Sequence, residues 1–279
     1  MTAWSVMKLH RHSISLLALA GAATLMAVGK GSAETGDLMR AGQSLCATAS
    51  PSPSATFDSL TAHQFEGSSD PALTRVVLTE GINQVPEWAF AVVTVLERVR
   101  LAPTVGEVGD NAFFACKRLA AIRLDHVRHI GEQAFRQTAL TQVSLPQART
   151  VGEFAFARCL GLKQVVIGDQ LDSLGAFAFS ECTALRKCTL SSGSVGECAF
   201  MGCTALRGVC LDGVSRIGEA AFLGCTALRE VVIPASVRTV GPKAFADCEN
   251  LRRVVICSRS TRVDGQAFGQ NAVITYQTN

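Results

Sequence analysis

Charge and aromatic rings are both scarce in this chain. Only 18% of its 279 residues are charged, and it carries one tyrosine and two tryptophans. The 26 basic and 23 acidic residues leave a net charge of +3. That balance argues against nucleic acid, whose binding depends on a concentrated basic footprint. No Cys-x-x-Cys pair occurs, nor any His/Cys set with zinc-ligand spacing, so no metal site is expected. The G-x-G-x-x-G and lysine-bearing phosphate loops are also missing, and no cofactor is expected. His126 and His129 flank a turn beside Asp125 and read as solvated side chains. Isolated His, Asp and Ser residues do not make a triad, so the chain does not read as an enzyme. An Asn-x-Ser/Thr acceptor is absent as well, which removes one support for secretion without excluding it.

What remains is apolar. Hydrophobic residues make up 48% of the chain, with 14 phenylalanines and 11 cysteines. In residues 1–33, Lys8, His10, Arg11 and His12 precede an uncharged run from Ser13 to Val28, and Gly31-Ser32-Ala33 follows. That order of charge, apolar run and small residues is a secretory signal peptide, leaving no stable membrane span after cleavage. The run is slightly short for a span; an uncleaved anchor, an organellar targeting segment or a cytosolic tail are the alternatives. Residues 34–59 hold ATASPSPSAT, too poor in apolar side chains to order itself, and read as a linker.

From residue 60 to 279 the chain repeats. Ala-Phe recurs at Phe90, Phe113, Phe135, Phe156, Phe179, Phe200, Phe222, Phe245 and Phe268, at spacings of 21 to 23 residues. A degenerate unit precedes them around Phe65, with Leu73, Val76 and Leu78. The unit is V/I-G-E-x-A-F-x-x-C-x-x-L-x-x-V-x-L/I. In one clear copy, Ala221, Phe222, Cys225 and Leu228 lie at offsets 0, 1, 4 and 7, the apolar stripe of a short helix. Val231 and Ile233, two apart, share one face of a strand. Gly131, Gly152, Gly196 and Gly218 precede Glu132, Glu153, Glu197 and Glu219, which fall in the first turn of the expected helix. Pro242 takes the same place after Gly241. The expectation is an α/β solenoid of about 8–10 coils, each a short parallel strand plus a short helical turn.

Cys116, Cys159, Cys182, Cys203, Cys225 and Cys248 all stand three residues after the recurring Phe. They read as small apolar fillers of an internal column, mostly free thiols. Cys188, Cys198, Cys210 and Cys257 occupy other repeat positions, and Cys46 lies outside the repeats.

The segments VGECAFMGCTALRGVCL, IGEAAFLGCTALREVVIPASV and VGPKAFADCENLRRVVI resemble the BspA-like leucine-rich repeat family. The resemblance covers roughly residues 60–279, is strongest from Val108 onward and is weak before Phe90. It implies a leucine-rich repeat stack and, by analogy, a bacterial or protist surface protein that binds other proteins or adheres to a surface. The chain is shorter than many surface members and shows no obvious cell-wall sorting signal or C-terminal anchor.

Strand residues pointing away from the core form the candidate contact surface. Arg98, Arg100 and Arg123 make its N-terminal end basic, with Lys187 further along. Val166, Val232 and Val255 make the later part apolar, as a protein contact requires. The bland alternative is that β-branched residues suit strands and the arginines maintain solubility. The function expected is a non-enzymatic protein-binding or adhesion-type repeat module, secreted or on the cell surface. The alternative is an intracellular structural or interaction repeat protein with an uncleaved N-terminus.

Overall fold

The computed structural model describes residues 54–277. The leader and residues 34–53 lie outside them, as does Cys46. The strand Ser54–Phe57 falls within the stretch read as linker and pairs in parallel with Arg75–Leu78.

Each coil runs through two strands and one turn segment. The first strand carries the V-x-L/I pair of the repeat. Its apolar residues point inward and their neighbours outward, as in Gln142–Leu145, Gln164–Ile167 and Glu230–Ile233. Successive first strands pair in parallel and in register: Val143, Val165 and Cys188 align across three coils. These strands form three separate sheets, with breaks between Ala121–Ile122 and Gln142–Leu145 and between Gly208–Cys210 and Glu230–Ile233. A second strand of only two residues follows in each coil, for example Glu107–Val108 and Thr150–Val151. Nine of these stack in parallel into one unbroken sheet.

The Ala-Phe segment is not a helix, and the expected α/β solenoid is corrected to an almost all-β one. The only helix among the described residues is a 3-10 turn at Pro71–Thr74. Backbone hydrogen bonds explain the difference. An α-helix sends every amide to the carbonyl four residues back. Here alternate amides leave the coil altogether: Trp88, Phe90 and Val92 donate to the carbonyls of Asp110, Ala112 and Phe114 in the next coil. The amides between them close tight local turns, Ala89 to Pro86, Ala91 to Trp88 and Val93 to Phe90. The outer two of these three turns carry a left-handed residue at their third position, so two recur per coil, four residues apart. Trp88 and Val92 (φ 56° and 60°), Phe154 and Arg158 (φ 54° and 59°) and Cys198 and Gly202 (φ 53° and 73°) are examples. Offsets 0, 1, 4 and 7 are therefore buried as a helix would bury them, on a backbone that is a chain of turns.

The glycines of the G-E pair change role accordingly. They have ordinary φ and instead sit where coils touch. A Cβ on Gly152 would lie 2.6 Å from the carbonyl carbon of Gly131, and one on Gly218 2.8 Å from that of Gly196. The expected helix cap is a close approach between stacked backbones.

Two columns run through the core alongside the inward residues of the strands and the repeat leucines. Phe90 through Phe245 are fully buried at every repeat, with adjacent rings stacked at 4.9–5.4 Å between centroids. Phe57 crosses the N-terminal ring, Phe65, at 4.8 Å and a 47° tilt. Beside the rings runs the thiol column. Cys116, Cys159, Cys182, Cys203, Cys225 and Cys248 each donate Sγ–H to the carbonyl of a Phe in a preceding coil, at 3.0–3.3 Å. Thr138 takes the place in the Phe135 coil and bonds that residue's carbonyl at 2.9 Å. All ten described cysteines are free.

Candidate functional site: an arginine groove on the first-strand face

A trough of about 1010 Å³ lies over the strands Arg75–Leu78, Arg98–Arg100 and Ala121–Ile122 and reaches Thr141 and Gln142, across the first sheet break. The alternation of the strands builds it. Val76 and Val99 point inward and are buried, so Arg75, Val77, Arg98 and Arg100 must point outward. Register places Arg75 beside Arg98 and Val77 beside Arg100. Arg98 aligns with Ala121 and Val99 with Ile122, and Arg123 is the next outward residue after Ile122. Neighbouring strands lie about 4.8 Å apart, and residues two apart on a strand about 6.8 Å.

Four guanidinium groups thus share a patch one to three coils deep. The ion pairs among the described residues are His63–Glu66, Arg118–Glu97, Arg158–Glu181 and Arg253–Glu230, so none of the four is neutralised. Glu80, Asp125 and His126 also line the groove. His129 lies in the second strand, with Nδ1 3.0 Å from Thr150 Oγ1.

The structure separates the remaining candidate residues. Lys187 and Val166 lie in the middle first-strand sheet, while Val232 and Val255 are register neighbours in the C-terminal one. Val166 is 36% exposed and Val232 45%; Val255 is half-buried. Arg253, on the same face, is held by Glu230 at 3.3 Å. The seven candidates thus fall on one face in three groups. Arg75 was missed because its unit has no Ala-Phe; stepping 23 residues back from Arg98 would have found it.

A second feature lies on the turn segments. His63 stacks on Trp88 at 6.0 Å, Trp88 meets Phe114 edge-on at 6.2 Å, and Phe154 stacks on Phe177 at 4.7 Å. Arg136 stands 5.4 Å over the Phe154 ring. Burial, followed by the neighbouring charge of Arg158, moves the Arg136 pKa down. Several of these bulky residues occupy left-handed positions, a feature the helical reading concealed. Their ring faces are largely taken up by one another, so the strip reinforces coil stacking.

Among the described residues no three or more His, Cys, Asp or Glu side chains gather as a metal site. No helix there is long and apolar enough to cross a membrane. The buried thiols are chemically quiet: burial pushes Cys116 and Cys248 up to about 12 and Cys159 up to about 11. Cys210, on the outer face, is raised by its 3.0 Å hydrogen bond to Asp212. A thiolate nucleophile requires the opposite shift.

The profile of the BspA type leucine-rich repeat region matches in six copies, over residues 58–159 and 149–275. Among solved structures, a leucine-rich repeat protein from Bacteroides ovatus is similar at 21% identity and a TM-score of 0.66. The match covers 80% of this chain and 59% of the other, so this chain spans about three fifths of that protein. A leucine-rich cell surface protein from Faecalibacterium prausnitzii matches at 22% identity over 86% of both chains, with a TM-score of 0.37. The pneumococcal vaccine antigen PcpA matches at 16% identity over 74% of this chain and 67% of its own, with a TM-score of 0.41. Likeness at these identities speaks to the fold alone, and only the first is close in shape. A comparison with curated protein sequences finds no match.

Proposed function

The chain belongs to the BspA-type leucine-rich repeat family, and from that premise we propose that it is a non-enzymatic binding module that meets a protein or surface ligand through its first-strand face. The observation that carries this reading is the cluster of the exposed Arg98, Arg100 and Arg123 with the half-buried Arg75, none of them in an ion pair among the described residues. An isolated protein gains nothing by gathering four like charges, whose repulsion a complementary partner would relieve. The apolar strip at Val232 and Val255 supplies a second, charge-free contact area.

The module is exported. The order of charge, apolar run and small residues in positions 1–33 supports this, although those residues lie outside the described part. A second reading, an intracellular interaction protein, is favoured by the ten free thiols, since disulfides are rare in reducing compartments. N-terminal sequencing of the mature protein separates the two. A start near Glu34 supports export; an intact N-terminus with every thiol free supports the intracellular reading.

The contact face is tested on a partner captured by the mature protein. Charge reversal at Arg98, Arg100 and Arg123, or Val232→Asp with Val255→Asp, is expected to weaken that partner's binding. If neither set changes the affinity, the first-strand face is not the contact.

A further inference from the structure

We propose that the arginine groove receives an acidic segment of a partner polypeptide, lying along the stack with two carboxylates on its inward side. This rests on the first-strand face being the contact surface and names the partner's chemistry there.

The arrangement of charges sets the ligand. Arg75 and Arg98 stand side by side on adjacent strands; one column over, Arg100 ends its strand and Arg123 follows directly after Ile122, the register partner of Val99. Each pair can fork one carboxylate, the geometry that guanidinium groups suit best. In an extended peptide, residues i and i+2 face the same way about 6.8 Å apart. The two pairs are offset by one strand along the stack and one column across it, roughly 8 Å apart, so the flexible side chains of two glutamates at i and i+2 reach one pair each when the segment runs obliquely over the strands. The groove crosses about four strands, or roughly 19 Å, the length of about six extended residues. The strands below are already paired with each other, so recognition runs through side chains and not through an added strand.

The floor and rim discriminate between acidic partners. Val77 lies in register beside Arg100, and Leu101 and Ile122 are partly buried in the same floor. A third inward residue of the segment, apolar, has somewhere to pack. Glu80 and Asp125 in the lining repel a chain that is negative at every unit, such as a sulfated polysaccharide. They tolerate a peptide whose charges are interspersed with neutral residues. No Phe, Tyr or Trp ring lines the groove on which a sugar could stack.

The test measures fluorescence anisotropy of a labelled peptide of the form Glu-x-Glu-x-Leu titrated with the full chain. A glutamine version and a sulfated oligosaccharide serve as comparison ligands. The glutamate peptide is expected to bind and the glutamine peptide not to bind. Arg98→Glu with Arg100→Glu is expected to weaken binding roughly 10- to 100-fold. Arg207→Glu, an exposed change elsewhere on the surface, is expected to leave binding unchanged. Melting temperatures of all variants confirm that they are folded. Binding that survives the arginine reversals, or no binding at all, overturns the proposal. So does a sulfated oligosaccharide that binds more tightly than the peptide and loses its binding with the same arginines. If the peptide fails while a captured partner still depends on Val232 and Val255, only this inference falls and the contact face stands.

Discussion

At the scale of single residues, two side-chain types carry the packing between coils. Each column cysteine does two things: it fills a space too small for leucine and donates to a phenylalanine carbonyl in a preceding coil. Cys182, bonded to the Phe156 carbonyl at 3.2 Å, is the cleanest case. Cys182→Ala is expected to cost about 1–2 kcal/mol through the lost bond and the void. Cys182→Thr, which copies Thr138, should cost under about 1 kcal/mol. Urea denaturation measures both; equal midpoints would show that neither the filled volume nor the bond at this position contributes as described. The glycines offer a sharper contrast. Gly152→Ala drives a Cβ into backbone at 2.6 Å, whereas a Cβ on Gly208 meets nothing within 4 Å. The first is expected to destabilise by about 1–3 kcal/mol and the second to be near neutral. If both behave alike, the coils are spaced more loosely than described.

At the scale of the element, the turn segment replaces a helix by exchanging hydrogen bonds between coils. Fifteen non-glycine residues among those described hold positive φ, each a conformation that costs about 1–2 kcal/mol in an L-residue. The strain persists because alternate amides are satisfied only by the next coil, and an unsatisfied buried amide costs as much or more. Circular dichroism should therefore show a β-type spectrum with negligible helical signal; a strong helical spectrum would refute the chain of turns. The repeat is also an element that cannot stand alone. Phe200 is stacked on both sides, at 5.3 Å and 5.1 Å. Phe268 is only partly buried, with Phe245 at 5.2 Å as its described ring neighbour. Phe200→Ala is expected to cost about 3–5 kcal/mol and Phe268→Ala clearly less, read from the same denaturation curves. Equal costs would mean that stacking on both sides adds nothing.

At the scale of the molecule, the buried thiols act together on stability against pH. Burial raises the pKa of the column cysteines from an ordinary value near 9 to about 11 for Cys159 and about 12 for Cys116 and Cys248, and it also pushes Cys182, Cys203 and Cys225 well up. The folded state keeps protons that the unfolded chain releases. Its stability is thus fully present below about pH 9 and declines as pH rises from there through the folded values. The melting temperature is expected to fall steeply above pH 9; a flat profile up to pH 11 would contradict this thiol environment. The face that meets a partner is likewise a property of the whole stack. Its basic N-terminal part, its middle and its apolar C-terminal part belong to three separate sheets, and one ligand would need to span coils to use more than one.

Much of this was legible along the chain. The 21–23-residue period, the phenylalanine and cysteine columns and the V-x-L/I strand residues follow from which side chains recur, because each coil must lend its neighbours the same apolar positions. The outward arginines follow from the alternation of a strand. Three things were decided only by the tertiary structure: the turn segment in place of the helix, the unbroken second sheet of two-residue strands, and the division of the first strands into three sheets. The reason is common to all three. Periodicity reports which side chains are buried, whereas the destination of each backbone amide lies one coil away, some twenty residues along the chain.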